Sequence, residues 1–244
     1  MVPIADEVYA RIPPEYSGVD WETYEPESIR ALVAWARRNP GSLVLDIGCS
    51  IGVFSLAALF AEPSIRVIAF DADLSSLAAT LRVCRYASGN RIDVVYGLLA
   101  DKAAAFVGLV EALDQTQTIL AEKKPTGDVG TTRYVCLTSE EAPFVPKYTL
   151  DNLFAAGAPP QSIFLKCDVE GAELQVLRGA KTFIAVTRPL LLLSVHPEAL
   201  TQDYGQTVEQ VAEFLREIGY HWYVIAIDHE QHWLGEPRRL AHMT

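Results

Sequence analysis

Two rhythms of apolar and polar positions run along the chain: short, dominantly apolar runs, and longer stretches with apolar residues three or four apart. The runs at 43–47, 66–70, 92–99, 162–167 and 189–195 have the form of parallel strands buried on both faces. Such strands need apolar side chains on each side and so lose the in-out alternation of a half-exposed sheet. Between the runs, helical spacing predicts helices at 27–38, 51–61, 75–86, 173–180 and 208–218. The first carries Ile29, Leu32, Val33 and Trp35 on one face and stops at Asn39-Pro40-Gly41, and the last stops at Gly219. Segments 220–227 and 231–234, separated by Asp228-His229-Glu230, predict a closing antiparallel pair. The expected class is therefore α/β, a Rossmann-like doubly wound sheet, mostly parallel with an antiparallel terminal hairpin. Residues 1–40 are expected to form a helical leader or cap, 41–244 the main domain, and about 101–146 an insertion carrying the turn signal Pro125-Thr126-Gly127-Asp128.

Composition narrows the function. With 50% hydrophobic and 21% charged residues over 244 positions, the chain can bury one sheet with helices on both faces. A net charge of -11 opposes binding to phosphate backbones and anionic lipid, so neither nucleic acid nor a membrane is an expected partner. Cys49, Cys84, Cys136 and Cys167 lack the paired spacing of a zinc site and read as reduced, mostly buried thiols. No secretory pattern opens the chain and no apolar run is long enough to span a bilayer, so the expected location is cytoplasmic. No feature specifies an oligomeric state.

Open parallel sheets bind ligands beyond the carboxyl ends of their strands, where Asp46-Ile47-Gly48-Cys49-Ser50-Ile51-Gly52 follows the first run. Gly48 permits a sharp turn against a ligand, Gly52 permits close packing of the next helix, and Asp46 can accept a hydrogen bond from an ammonium group or its water. Ser50 stands where a dinucleotide site needs its second glycine, which disfavours nicotinamide and suits a zwitterionic, cationic cofactor. Taken alone, the heptapeptide could equally be a plain tight turn. Asp71, followed by Ala72, ends the second run about twenty residues later and is placed to accept the hydroxyls of an adenosine ribose. Its alternative role is a helix cap, which Asp73 or Ser75 could also supply. Asp101, after the third run, is a candidate for the adenine amino group, with a loop acid as the equal alternative.

The second half carries Tyr148-Thr149-Leu150-Asp151-Asn152-Leu153, Phe164-Leu165-Lys166-Cys167-Asp168-Val169-Glu170-Gly171-Ala172-Glu173, Val176-Leu177-Arg178-Gly179-Ala180 and Ser194-Val195-His196-Pro197. In this order the segments resemble the successive signatures of the FkbM-type methyltransferases. The chain departs from that pattern at Asp71-Ala72, Cys167 and Ser194. The resemblance implies the class I methyltransferase fold, S-adenosylmethionine as cofactor bound by Asp46, Gly48, Cys49, Ser50, Gly52, Asp71, Ala72 and Asp101, and methyl transfer mainly to hydroxyl oxygen.

Methylating a hydroxyl requires a base or a metal ion, because an alcohol is a poor nucleophile at neutral pH. Asp168 and Glu170 follow the fourth long run and His196 the fifth, so all three are expected at the sheet edge that carries the cofactor turn. His196 or Asp168 is the expected base. Glu170 is expected to bind substrate or, with Asp168, a divalent cation such as Mg²⁺. Glu173 reads as a helix cap, Trp21, Tyr24 and Glu25 as anchors of the leader, and His221, His229 and His232 as surface residues of the hairpin. The acceptor is expected to be a hydroxylated small molecule such as a sugar or polyketide. A nucleotide-dependent dehydrogenase and an inactive cofactor-binding scaffold are the competing readings.

Overall fold

A computed structural model of the chain describes residues 23–108, 144–157 and 162–238. Helix α1 (Pro26–Arg38) leads into three βα units: β1 (Leu43–Ile47) with α2 (Val53–Ala61), β2 (Arg66–Asp71) with α3 (Leu74–Ser88), and β3 (Ile92–Tyr96). Short strands β4 (Leu98–Leu99), β5 (Ala104–Gly108) and β6 (Phe144–Tyr148) follow, then α4 (Leu150–Leu153). The main sheet resumes with β7 (Ile163–Cys167), helices α5 (Glu173–Arg178) and α6 (Lys181–Thr187), and β8 (Leu190–Val195). Helices α7 (Pro197–Tyr204) and α8 (Val208–Glu217) and strands β9 (Tyr220–Ile227) and β10 (Gln231–Pro237) complete the described fold.

Seven strands form the main sheet in the order β3-β2-β1-β7-β8-β10-β9. The first five are parallel, and β10 runs antiparallel to both of its neighbours, as the terminal hairpin predicts. Strand β1 is buried along its whole length, and alternate side chains enter different cores. Leu43, Leu45 and Ile47 meet α5, α6 and α8, whereas Val44 meets α1, α2 and α3. Each aliphatic side chain buried in these layers contributes about 1.5–3 kcal/mol. The same alternation puts Asp46 of β1 and Lys166 of β7, paired in register, on the α2 side of the sheet. Because the chain leaves β1 for β2 and β3 on one side and returns to β7 and β8 on the other, the switch point of the sheet, where such folds bind ligands, lies between the ends of β1 and β7.

The structure corrects several local expectations. The run 92–99 is not one strand. It breaks at Gly97, where an added Cβ would lie 2.6 Å from the Tyr148 ring and 2.7 Å from the Pro146 carbonyl oxygen, and β4 turns away into a three-stranded sheet of order β4-β6-β5. The helix expected at 173–180 stops at Arg178, and neither α6 nor α7 follows from apolar spacing, since each is under three turns long. Asp151 starts α6 by accepting from the backbone of Thr182 and Phe183 at 3.1 and 2.7 Å, a role that accounts for one family signature residue in purely structural terms. Much of the insertion, with its turn signal at 125–128, lies outside the described residues, as do Trp21 and Cys136. Cys49, Cys84 and Cys167 are free and buried. No described helix is long and apolar enough to cross a membrane.

Candidate functional site

The carboxyl end of β1 turns at Gly48, whose φ of +69° is a left-handed conformation that glycine adopts without steric cost. A Cβ there would lie 1.7 Å from the backbone oxygen of Asp168, so the close approach that needs glycine is made by the chain's own β7 loop. Two residues on, Ser50 is also left-handed, and its N–H donates to Asp71 Oδ2 at 2.8 Å. Asp71 Oδ1 accepts from Asp73 N at 2.9 Å, while the cap of α3 is supplied by Asp73 itself. Each Asp71 oxygen therefore keeps lone-pair capacity for another donor. Burial raises its pKa, opposed by the two backbone donors. Ala72 and Ser50 are half-buried beside it, whereas the Cys49 side chain is buried and directed toward Thr80, so Cys49 can offer a ligand only its backbone. Gly52 caps α2 and faces Thr80 of α3.

Asp46 is fully buried and accepts from the backbone N–H and hydroxyl of Ser55 at 3.0 and 2.6 Å. The ammonium group nearest to it belongs to Lys166, at 3.6 Å. Lys166, itself 3% exposed, donates to the Gly48 carbonyl at 2.7 Å, lies 3.1 Å from Asp168 Oδ2 and rests over the Phe54 ring. Burial works against its charge, but Asp168 and Asp46 outweigh that and raise the pKa well above the usual lysine value. This lysine ties the glycine turn to β7, a role that the sequence reading did not assign.

Beyond β7 and β8, the side chains of Asp168, Glu170 and His196 come together as expected. His196 Nε2 lies 3.7 Å from Asp168 Oδ1 and 3.5 Å from Glu170 Oε2. Its Nδ1 is 2.9 Å from Glu173 Oε1, which also accepts from the Gly171 N–H at 2.9 Å. Glu173 thus orients the imidazole besides opening α5. Glu230 reaches the same ring from β10, with Oε2 2.5 Å from Nε2. It arrives there because β10 is antiparallel: Gln231 pairs with Val195, so the start of β10 meets the end of β8. Burial opposes charging of His196, but Glu173 and Glu230, with Asp168, push its pKa up to about 11. Burial raises Glu170 to about 7, with His196 opposing. Glu170 also sits in a left-handed conformation, φ 52°, that costs a non-glycine residue about 1–3 kcal/mol and is held only by a well-determined surround.

His232 departs from expectation. It is 1% exposed, not on the surface, because β10 lies between β8 and β9 and faces the start of α1. Its Nδ1 is 3.1 Å from Ser28 Oγ and 3.3 Å from Glu25 Oε2, and its Nε2 is 3.2 Å from Asp228. Burial opposes its charge, yet Glu25 and Glu230 raise its pKa to about 9. Through this contact, and with Tyr24 packed on the core, the leader is anchored. His221 and His229 are exposed as expected. Asp101 is exposed in the bend between β4 and β5, beside Gly179 at the end of α5.

A family profile described as the methyltransferase FkbM domain matches residues 46–222, a span running from Asp46 of the turn through His196. Among solved structures, the chain is similar to methyltransferase FkbM from Methylobacillus flagellatus, with TM-score 0.53 and 18% identity over 81% of this chain and 44% of that one. It is also similar to a methyltransferase from Geobacter sulfurreducens, with TM-score 0.51 and 15% identity over 97% of this chain and 91% of that one. The chain therefore spans under half the length of the first of these, and at such identities the likeness is one of fold. No curated protein matches the chain.

Proposed function

The chain belongs to the FkbM methyltransferase family, and from that premise we propose that it transfers a methyl group from S-adenosylmethionine to a hydroxyl oxygen of a small molecule such as a sugar or polyketide. The observation that carries this reading is the packing of the Asp168 backbone against Gly48, which keeps an acidic group beside the turn at the switch point of the sheet. The bound cofactor supplies an electrophilic methyl on a sulfonium. Asp71 accepts the ribose hydroxyls with the oxygen lone pairs not used by Ser50 and Asp73, while the backbone from Gly48 to Gly52 and Ala72 line the remainder of the nucleoside site; Asp101, exposed beside Gly179, is not given the adenine role expected of it. Asp46, sealed behind Lys166, acts by positioning the turn. The net charge of -11 favours a small acceptor over nucleic acid.

On the acceptor side we revise the role expected of His196. Acids engage both of its ring nitrogens, so it organises the group, and the carboxylates of Asp168 and Glu170 take the hydroxyl proton. Glu170, with a third of its side chain exposed, is the more accessible of the two to an incoming acceptor.

Incubation with S-adenosylmethionine carrying a deuterated methyl group and a panel of hydroxylated metabolites, read by mass spectrometry, tests the reaction. A labelled methyl ether product is expected, lost in Asp168→Asn and Glu170→Gln while calorimetry still detects cofactor binding. Methylation confined to nitrogen or carbon, or full turnover by both variants, would overturn the proposal.

A further inference from the structure

We propose that Asp168, Glu170 and His196, backed by Glu230, bind one divalent first-row cation, with Mn²⁺ the ion that fits the donors best. Asp168, Glu170 and His196 each present a ligating atom within 4.8 Å of the others. One imidazole nitrogen with carboxylate oxygens is a mixed set that suits a borderline oxygen-loving ion, and it is too rich in oxygen for a tetrahedral structural zinc site.

Two further observations point to the same spot. The Glu230 side chain is 2% exposed and its Oε2 makes no directed hydrogen bond, although it faces His196 Nε2 at 2.5 Å. Paired with that ring nitrogen alone, the buried carboxylate is short of directed donors, which is costly, and a cation shared among the acids and the imidazole lowers the cost. On the far side of the ring, buried Glu173 holds Nδ1 and so turns Nε2 toward the acids. That is the carboxylate-histidine pair that orients metal-ligating imidazoles elsewhere. The ion takes the place of the Nε2 proton, which is released on binding. Entry is open through Asp168 and Glu170, whose side chains are 19% and 33% exposed. The neighbouring trio Glu25, Glu230 and His232 is sealed by comparison, since Glu25 is 9% and His232 1% exposed. Binding of the ion does not depend on the methyl-transfer reading. Its use does rest on that reading: there it lowers the pKa of the acceptor hydroxyl.

Titration of the chelator-treated full chain with Mn²⁺, with free ion followed by electron paramagnetic resonance, tests the site. One bound ion per chain is expected. Affinity should fall by about tenfold or more in His196→Gln and Glu170→Gln, and by about 10- to 100-fold in Glu173→Gln, which removes no ligand. The control Glu62→Gln, at the far end of α2, should bind as the parent does. Circular dichroism checks each fold, and half-exposed Glu170 keeps the test available if a buried variant fails to fold. Absence of uptake at roughly millimolar ion, or equal uptake by the Glu170 and Glu173 variants and the parent, overturns the site. Parallel calorimetry with S-adenosylmethionine separates the two proposals. Cofactor uptake without Mn²⁺ uptake removes the ion site alone, whereas Mn²⁺ uptake without cofactor uptake removes the methyl-transfer reading and leaves the ion site standing.

Discussion

Replacing Asp71 by Asn changes one oxygen to an amide group and removes a charge, and the structure separates the consequences for folding from those for binding. In the fold, the carboxylate accepts from Ser50 N at 2.8 Å and Asp73 N at 2.9 Å. One of these N–H groups then faces an NH₂ donor, which costs about 1–3 kcal/mol. Part of that is offset, because burial raises the Asp71 pKa above its ordinary 3.8, so the native charge is itself held at a cost that Asn does not carry. We expect a net loss below about 2 kcal/mol, or a few degrees in Tm for a chain of this size. In binding, each ribose hydroxyl donated to a charged acceptor contributes about 1.5–3 kcal/mol, so losing one and weakening the other costs about 2–4 kcal/mol, roughly 30- to 1000-fold in Kd. Calorimetry with S-adenosylmethionine, paired with a melting curve, measures both. The sign of the pH dependence gives a second check. Only ionised Asp71 accepts both hydroxyls, so parent affinity should fall as pH drops through the raised pKa, beginning at a higher pH than for an ordinary Asp, whereas Asp71→Asn should be flat there. A folded variant whose Kd stays within about fivefold of the parent's refutes the ribose role.

Other perturbations follow from the same geometry. Gly48→Ala combines a left-handed backbone with a Cβ placed 1.7 Å from the Asp168 oxygen, so urea denaturation should show a loss of about 2–5 kcal/mol; a loss under about 1 kcal/mol would mean the loop gives way freely. Lys166→Met leaves buried Asp46 and the Asp168 carboxylate without their shared cation, and we expect about 3–5 kcal/mol of destabilisation by the same measurement. Adding Asp46→Leu to that variant should restore part of the loss, and a double variant less stable than the single would contradict the ion-pair account.

Most of the main sheet was legible because each strand carries its own signal. Leu43–Ile47 and Leu190–Val195 are each apolar but for one residue, Asp46 and Ser194, and a strand covered on both faces needs so apolar a pattern. The glycine turn, Asp71, Asp168, Glu170 and His196 were legible for a related reason: in a parallel sheet every strand delivers its last residue to the same edge, so position along the chain already implies position in space. Helices α6 and α7 were not legible, since each is shorter than its own periodicity can reveal, and Asp151, which starts α6, is 31 residues away from the Thr182 it caps.

The layers, the strand edge that holds the candidate site and the family signatures are all readable from the order of residues. The pairing of the polar residues is a product of the assembled fold. Asp46 looked free to meet a ligand and is closed off by Lys166; His232 looked exposed and is buried under Glu25 and Ser28; Glu230 looked like a hairpin turn residue and is the acid facing His196. Apolar periodicity is a local property, read within one element. Whether a charged side chain is buried, and beside which partner, depends on the register of strands far apart in sequence: the pairing of Gln231 with Val195 places Glu230 beside His196, and nothing in either segment alone encodes that pairing.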